Sequence, residues 1–226
     1  GTCVRLLVSL LINSPKKIKI VGDKSLSKRD MKRVISPLKQ FGATFYPKNK
    51  TTLPISIKGT NFIRPINYSE LKGSSQCKSS VMLAALSAPG ITKLKCKASR
   101  NHTELLFKYL KIPIKIKKTK NFDFIEVKGK QNFKSFNYKI PSDISSSAFF
   151  IVLTLLSLNS SLIIKKVGIN DSRKGVITIL NKMGAKIIFK NKKKYKGEKI
   201  ADIYVKSAKS LRSINCPTKL NSSAID

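Results

Sequence analysis

The residues best suited to ligand binding or catalysis are arginines and small polar residues that precede helix-like segments. The arginines stand in polar turns that precede amphipathic helices: Arg29, Arg100 and Arg173. The polar residues precede apolar runs as two serine pairs: Ser74-Ser75 and Ser145-Ser146. Helix N-termini offer unpaired N–H groups, and arginine adds a planar fork that binds phosphate or carboxylate. Ordinary capping explains each case alone, but their recurrence at matching places favours a site for small anionic ligands.

Metal and thiol chemistry find little support in the sequence. The cysteines show no C-x-x-C spacing: Cys3, Cys77, Cys96 and Cys216. This spacing argues against a structural zinc site and against a disulfide framework. His102 is the single histidine, and we interpret it as a structural residue that opens a helix.

The chain is strongly basic, with 46 Lys and Arg against 11 Asp and Glu in 226 residues and a net charge of +35. Such a charge attracts nucleic acid or small anions. A basic nucleic-acid-binding module is therefore one alternative function. The lysines do not collect on one helix, however, and no aromatic residues interleave with a basic motif, so no nucleic-acid partner is expected. The longest apolar stretch, residues 148–158, is too short to cross a bilayer, and we predict a cytoplasmic protein.

Self-similarity with a period of about seventy residues organises the chain. Asn61-Phe62 recurs as Asn132-Phe133. Ile57-Lys58-Gly59 recurs as Val127-Lys128-Gly129 and, more weakly, as Val205-Lys206-Ser207. Repeats of this length indicate that one supersecondary unit occurs several times.

Each repeat has the same order of predicted elements. Apolar helices are predicted over residues 4–12, 81–88 and 148–158. Strands are predicted to follow them over residues 17–21, 93–97 and 162–167. A polar turn with an arginine then introduces an amphipathic helix, and two more strands close the unit. The resulting βαβαββ order predicts an α/β fold with buried helices.

Six motifs in order along the chain resemble those of one enzyme family. They are Gly1-Thr2-Cys3-Val4-Arg5, Gly22-Asp23-Lys24-Ser25-Leu26-Ser27-Lys28-Arg29, Ser74-Ser75-Gln76-Cys77-Lys78-Ser79, Arg100-Asn101-His102-Thr103-Glu104, Pro141-Ser142-Asp143-Ile144-Ser145-Ser146 and Ala224-Ile225-Asp226. The chain thus resembles the bacterial 5-enolpyruvylshikimate-3-phosphate synthases, or 3-phosphoshikimate 1-carboxyvinyltransferases. One such motif is weak evidence, but six in order are specific.

The resemblance implies two domains of three βαβαββ units each, with helix N-termini facing the cleft between them. Residues 1–140 would form part of the first domain, about two units, and residues 141–226 would start the second. The chain opens without methionine and closes on Asp226 before the remaining motifs of the family. We therefore expect a central piece of the enzyme, truncated at both ends.

The resemblance also implies a reaction of the shikimate pathway, which makes aromatic amino acids. The enolpyruvyl group of phosphoenolpyruvate is transferred to the 5-hydroxyl of shikimate 3-phosphate, and phosphate is released. Addition and elimination through a tetrahedral intermediate need cations for two phosphorylated substrates and groups that move protons, but no metal and no organic cofactor. The full-length protein would be a cytoplasmic monomer without a membrane partner.

The site residues below are implied by the resemblance. Phosphoenolpyruvate would be bound by Arg29, Gln76 and Gly1. Shikimate 3-phosphate would be bound by Ser74, Ser75, Gln76, Arg100 and Asp226. Asp226 would also be catalytic, since it would exchange a proton with the 5-hydroxyl. The family usually has proline at the position of Asp30 and glycine at that of Ser142, changes expected to alter turn rigidity more than chemistry.

Two further alternatives stay open. The sister enolpyruvyl transferases that act on UDP-N-acetylglucosamine share the repeat architecture, but they use a loop cysteine that this chain lacks in a matching context. A non-catalytic remnant is also compatible with the sequence, because a lysine, a glutamate and other basic groups of the family lie outside the chain. For the same reason we expect residues 1–226 alone to be inactive.

Overall fold

The computed structural model describes residues 1–224. The chain divides into two compact units, one made of Gly1–Ser99 with Leu110–Lys134 and the other of Arg100–Tyr109 with the residues from Ser135 onward. The predicted boundary between residues 140 and 141 concerns the domains of a complete protein and stays a prediction.

The first repeat of the first unit contains three α-helices, a short 3-10 helix (Leu11–Asn13) and an antiparallel sheet. Its elements are α1 (Thr2–Leu10), β1 (Lys17–Ile20), α2 (Lys24–Ser27), α3 (Lys32–Gln40), β2 (Thr44–Tyr46) and β3 (Ile55–Lys58). The strands lie in the order β1-β3-β2. Helix α3 is amphipathic and buries Val34, Ile35 and Leu38, as its apolar spacing predicts.

The second repeat follows the predicted βαβαββ order in sequence. Its elements are β4 (Asn67–Glu70), α4 (Ser75–Ala85), β5 (Ile91–Cys96), α5 (His102–Tyr109), β6 (Ile114–Lys118) and β7 (Asp123–Lys128). The sheet order is β4-β5-β7-β6, in which β4 and β5 are parallel and the other neighbours are antiparallel. Helix α5 is the exception in space, because it belongs to the second unit.

The second unit holds the third repeat together with α5. Its further elements are α6 (Ile144–Leu156), β8 (Ser161–Gly168), α7 (Gly175–Lys182), β9 (Ile187–Tyr195), β10 (Glu198–Lys206) and α8 (Asn221–Ala224). The strands form an antiparallel sheet in the order β8-β10-β9, and Ile151, Ile177 and Ile203 lie in the core beside it. An isolated parallel bridge between Ser142 and Val167 occupies the place that the β4–β5 pair has in the second repeat. The repeated α/β architecture is thus confirmed.

Glycines after the last strand of the first two repeats explain part of the sequence repeat. A Cβ at Gly59 would collide with the carbonyl oxygen of Ile12, and one at Gly129 would collide with those of Ala85 and Ala88. The backbone therefore passes directly against the end of an apolar helix, where a side chain does not fit. In the third repeat Ser207 stands at this place, and its N–H donates to the Ser160 carbonyl at 2.9 Å.

Replacing Gly129 with alanine is expected to lower the free energy of unfolding by about 2 to 3 kcal/mol, because the new methyl group overlaps backbone atoms that cannot turn away. Urea denaturation followed by circular dichroism measures this change. The matched control is Gly168→Ala, because the nearest atoms to a Cβ there lie at 3.8 Å. Equal losses in the two variants would show that steric overlap is not the cause.

Candidate functional site

Three chain segments meet at one end of the first unit: the start of α1, the turn before α3 and the start of α4. Arg5 Nη1 donates to Gln76 Oε1 at 2.5 Å, and Arg5 Nη2 donates to the Asp30 carbonyl oxygen at 2.9 Å. Gln76 Nε2 donates to Thr2 Oγ1 at 2.7 Å. Both ends of the Gln76 amide are therefore oriented by α1, and Arg5 connects all three segments.

Arg29 packs against Gly1. A Cβ at Gly1 would lie 3.0 Å from Arg29 Nη1, which is closer than most such contacts. The missing side chain at Gly1 thus leaves room for the guanidinium group. The structure brings these two predicted residues together beside the segment that holds Gln76.

The turn between β4 and α4 is shaped by Glu70. Its carboxylate accepts from the Ser74 N–H at 2.9 Å and from the Lys72 N–H at 3.0 Å. Ser74 is the N-cap of α4, and its Oγ accepts from the Cys77 N–H at 3.3 Å. Ser75 begins the helix, so the predicted serine pair stands where a helix offers its free N–H groups.

Positive charge is concentrated at this end of the first unit. Burial lowers the pKa of Arg5, and the nearby Arg33 and Arg29 lower it further, while Asp30 opposes them. The pKa of Asp30 is lowered, first by the hydrogen bond from the Lys32 N–H. Three guanidinium groups outnumber the two neighbouring carboxylates, Asp30 and Glu70, and make a field that attracts anions. The motifs did not single out Arg33, and only its tertiary position reveals it.

Cys77 is a structural residue at the base of this site. Its side chain is buried, and its Sγ donates to the Arg33 carbonyl oxygen at 3.0 Å. Burial is the main reason that the pKa of the thiol is raised to about 11. The thiol is therefore protonated near neutral pH and is unsuited to act as a nucleophile.

Arg100 lies in the second unit, directly before α5. The start of α5 is anchored there, because His102 Nδ1 lies 2.5 Å from Glu198 Oε1 and Asn170 Nδ2 donates to Asn101 Oδ1 at 2.9 Å. This geometry supports the structural interpretation of His102. The predicted roles of Arg100 and of the first-unit residues stay predictions, and Asp226 lies outside the described residues.

The second unit also contains a cavity of about 550 Å³. Its lining combines apolar and charged side chains and includes Phe136, Tyr138, Asn170, Arg173 and Glu198. Of the three turn arginines, Arg173 lines this cavity, but no residue in the described part of the chain to which the resemblance assigns substrate binding does so. We therefore place the candidate site at the helix starts of the first unit and not here.

Asp143 caps α6 in the second unit. Its carboxylate accepts from the Ser146 N–H at 2.9 Å and lies 3.1 Å from Arg173 Nη2. Arg173 Nη2 also donates to Ser145 Oγ at 2.6 Å. Burial raises the pKa of Asp143, but the hydrogen bonds from Ser146 and the charge of Arg173 outweigh it, so the pKa is lowered.

A lowered pKa in the folded protein stabilises it above the pKa of the unfolded chain, and the contribution disappears as the pH falls through the folded value. Asp143→Asn is expected to lower the free energy of unfolding by about 0.5 to 1 kcal/mol at neutral pH, because asparagine still caps the helix but the partly exposed ion pair is lost. The difference should begin to fall at about pH 4, the ordinary pKa of aspartate, and should vanish only below the lowered pKa of Asp143 in the folded protein. Urea denaturation across this pH range measures it. If Asp143→Asn has the same effect in an Arg173→Gln background, the ion pair is not responsible.

The family of this chain follows from its match to a model of a known protein family. The family model described as EPSP synthase (3-phosphoshikimate 1-carboxyvinyltransferase) matches residues 1–219. The chain belongs to the EPSP synthase family. The match confirms the resemblance found in the motifs, and it favours neither the UDP-N-acetylglucosamine transferases nor a nucleic-acid-binding module.

Individual EPSP synthase relatives agree with the family match. The 3-phosphoshikimate 1-carboxyvinyltransferase of Petrotoga mobilis is 40% identical over 211 residues, which are 92% of this chain and 48% of the relative. That of Hydrogenovibrio crunogenus is 37% identical over 228 residues, which are 100% of this chain and 51% of the relative. The chain thus spans about half the length of the relatives it matches.

Solved structures show the same fold. The EPSP synthase of Acinetobacter baumannii matches with a TM-score of 0.83 and 36% identity, over 98% of this chain and 49% of that chain. The enolpyruvyl transferase NikO of Streptomyces tendae matches with a TM-score of 0.66 and 13% identity, over 90% of this chain and 46% of that chain. The second likeness concerns the fold alone. Among residues 1–224, no helix is both long and apolar enough to cross a membrane.

Proposed function

We propose that this chain is part of a 3-phosphoshikimate 1-carboxyvinyltransferase, which transfers the enolpyruvyl group of phosphoenolpyruvate to the 5-hydroxyl of shikimate 3-phosphate and releases phosphate. The observation that carries the proposal is the meeting of Arg29, Gln76 and Ser74 at one cationic end of the first unit, in a chain of the EPSP synthase family. A cytoplasmic location and a monomeric full-length protein belong to the same proposal.

Phosphoenolpyruvate would be bound by Arg29, Gly1 and Gln76. The Arg29 guanidinium group, packed against Gly1, offers two parallel N–H donors to a phosphate or carboxylate. The Gln76 amide oxygen accepts one hydrogen bond from Arg5, and the amide nitrogen donates one of its two hydrogens to Thr2. An amide has further capacity at both atoms, so Gln76 can contact a ligand without losing these bonds.

Shikimate 3-phosphate would be bound at the start of α4. The hydroxyl groups of Ser74 and Ser75 and the first N–H groups of the helix suit a phosphate dianion, which is also favoured by the positive end of the helix dipole. The side of Ser74 turned toward the protein is held by Cys77 and Glu70. Arg100 would supply a further cation for the shikimate substrate.

The reaction would proceed by addition and then elimination. In the addition, the 5-hydroxyl oxygen bonds to C2 of the enolpyruvyl group and loses its proton, which Asp226 would accept. The electron pair of the C2–C3 double bond takes up a proton at C3, which a general acid of the complete protein would supply. In the elimination, the C2–O bond to phosphate breaks and C3 loses a proton, which restores the double bond in the product. The cationic groups stabilise the phosphate as its negative charge increases. No step requires a metal or an organic cofactor.

The surface of α6 supports the proposal that this chain works within a larger protein. The side chains of Phe149, Phe150, Leu153 and Leu156 are 60% to 79% exposed. An exposed apolar row of this kind on one helix is unusual at the surface of a folded protein and is normally covered by other polypeptide. Further polypeptide of the complete enzyme would cover it.

The test is phosphate release by the complete protein encoded around this segment, compared with the 226-residue chain. We expect the complete protein to release phosphate only when phosphoenolpyruvate and shikimate 3-phosphate are both present. The 226-residue chain alone should release none.

Three outcomes would contradict the proposal. UDP-N-acetylglucosamine could replace shikimate 3-phosphate, which would indicate the sister transferase. The complete protein could bind random DNA tightly without responding to shikimate 3-phosphate, which would indicate a nucleic-acid-binding protein. It could also bind both substrates without reaction, which would indicate a non-catalytic remnant.

A further inference from the structure

Arg33 lies beside the proposed acceptor site, although it is outside the six motifs of the family resemblance. It stands in the first turn of α3, and its Nη1 lies 3.5 Å from Ser74 Oγ. Its side chain is exposed to solvent, so an incoming ligand can reach the guanidinium group. Arg33 therefore presents a charged, accessible donor next to a serine proposed to bind phosphate.

The hydrogen bonds of Ser74 define where a ligand would be recognised. A serine hydroxyl has one hydrogen to donate and two lone pairs to accept with. Ser74 Oγ accepts from the Cys77 N–H at 3.3 Å and also faces Arg33 Nη1. Since both neighbours are donors, the hydroxyl hydrogen remains for an acceptor, and a phosphate oxygen satisfies it together with Arg33.

The position of Arg33 is fixed by its own backbone. Its carbonyl oxygen accepts from the buried Sγ of Cys77 at 3.0 Å, which connects the start of α3 to the start of α4. The guanidinium group also belongs to the electrostatic neighbourhood of Arg5. Two carboxylates lie nearby. Asp30 accepts from the Lys32 N–H at 2.8 Å, and Glu70 accepts from the Ser74 N–H at 2.9 Å, so together they only partly offset the three arginines.

We propose that Arg33 binds the 3-phosphate of the acceptor substrate together with Ser74 and so selects the phosphorylated form of shikimate. This inference rests on the proposed function. The guanidinium group donates to phosphate oxygens on the side of α3, while Ser74 and the start of α4 donate from the other side. Arg29, which packs against Gly1, then remains for phosphoenolpyruvate.

Calorimetric titration of the complete protein with shikimate 3-phosphate and with shikimate tests the proposal. Arg33→Gln is expected to weaken binding of shikimate 3-phosphate at least about tenfold and to change binding of shikimate less than about twofold, because only the first ligand carries the phosphate. The matched control is Lys32→Gln, which removes the same charge from the neighbouring exposed residue and should leave both affinities unchanged. Arg33→Lys should recover part of the loss.

Several outcomes would overturn the inference. Equal weakening by Arg33→Gln and Lys32→Gln would show only a general effect of net charge. Equal weakening of both ligands by Arg33→Gln would show a distorted site and not a phosphate contact. If Arg33→Gln does not fold, Arg33→Lys is compared with Lys32→Gln in the same titrations. The role of Arg33 is rejected if Arg33→Lys does not weaken binding of shikimate 3-phosphate more than binding of shikimate. If the unmodified protein does not bind shikimate 3-phosphate, the proposed function itself fails, whereas a loss in Ser74→Ala but not in Arg33→Gln rejects Arg33 alone.

Discussion

Arg29→Gln in the complete protein is expected to lower kcat/KM for phosphoenolpyruvate by about 100- to 1,000-fold, the range for removing one partner of a desolvated charge pair. Arg5 cannot take over, because its guanidinium group already donates to Gln76 and to the Asp30 carbonyl oxygen. Arg29→Lys keeps the charge but not the planar guanidinium group, so its kcat/KM should lie between those of the unmodified protein and Arg29→Gln. Phosphate release with varied phosphoenolpyruvate and saturating shikimate 3-phosphate measures the effect.

The matched control is Arg64→Gln. Arg64 is an exposed arginine whose Nε donates to the carbonyl oxygen of Gln40, at the end of α3 opposite to Arg33. This variant should stay within about twofold of the unmodified protein, because surface charges contribute little. A similar fall in both variants would mean that net charge is responsible and would remove Arg29 from the site.

Asp226→Asn in the complete protein is expected to lower kcat by about 100- to 10,000-fold, the usual contribution of general acid–base catalysis. Asparagine has nearly the same shape and keeps hydrogen-bonding capacity, but it cannot accept the proton of the 5-hydroxyl. KM for both substrates should change much less than kcat, because binding groups remain in place. Steady-state rates at saturating concentrations of both substrates, measured across pH, report the loss.

Asp171→Asn is the control for this substitution. Asp171 forms ion pairs with Lys174 and with Lys199, the latter at 2.8 Å, and has no proposed role in the reaction. Its replacement should leave kcat unchanged. If Asp226→Asn instead raises KM for shikimate 3-phosphate and leaves kcat unchanged, Asp226 is a binding residue and not the proton acceptor.

The order of elements could be predicted from the sequence, whereas the starts of the apolar helices could not. The apolar run at residues 81–88 predicted a helix that begins too late, since α4 begins at Ser75 after its Ser74 cap. In the same way, α6 begins at Ile144 and not at residue 148. The first turn of each helix is polar because it lies at a cap, and apolar periodicity does not reveal polar turns.

The candidate site could be predicted only where a motif marked it. Arg29 and Gln76 stand within motifs, but the bond between Arg5 and Gln76 joins residues 71 positions apart, and no local pattern predicts such a contact. Arg33 could not be predicted for the same reason. It belongs to an ordinary amphipathic helix, and only its position beside Ser74 in the folded chain indicates a role in the site. A run of basic residues cannot show which of its members faces a site, since that depends on tertiary packing.

The membership of α5 in the second unit bears on how this gene can change during evolution. Asn101 and His102 bond to residues 69 and 96 positions later in the chain. A recombination or truncation point near Lys134 would therefore separate α5 from Asn170 and Glu198, although it falls between two units in sequence. Shuffling can move the coding segment of the second unit intact only if it also carries the ten residues Arg100–Tyr109 from within the first.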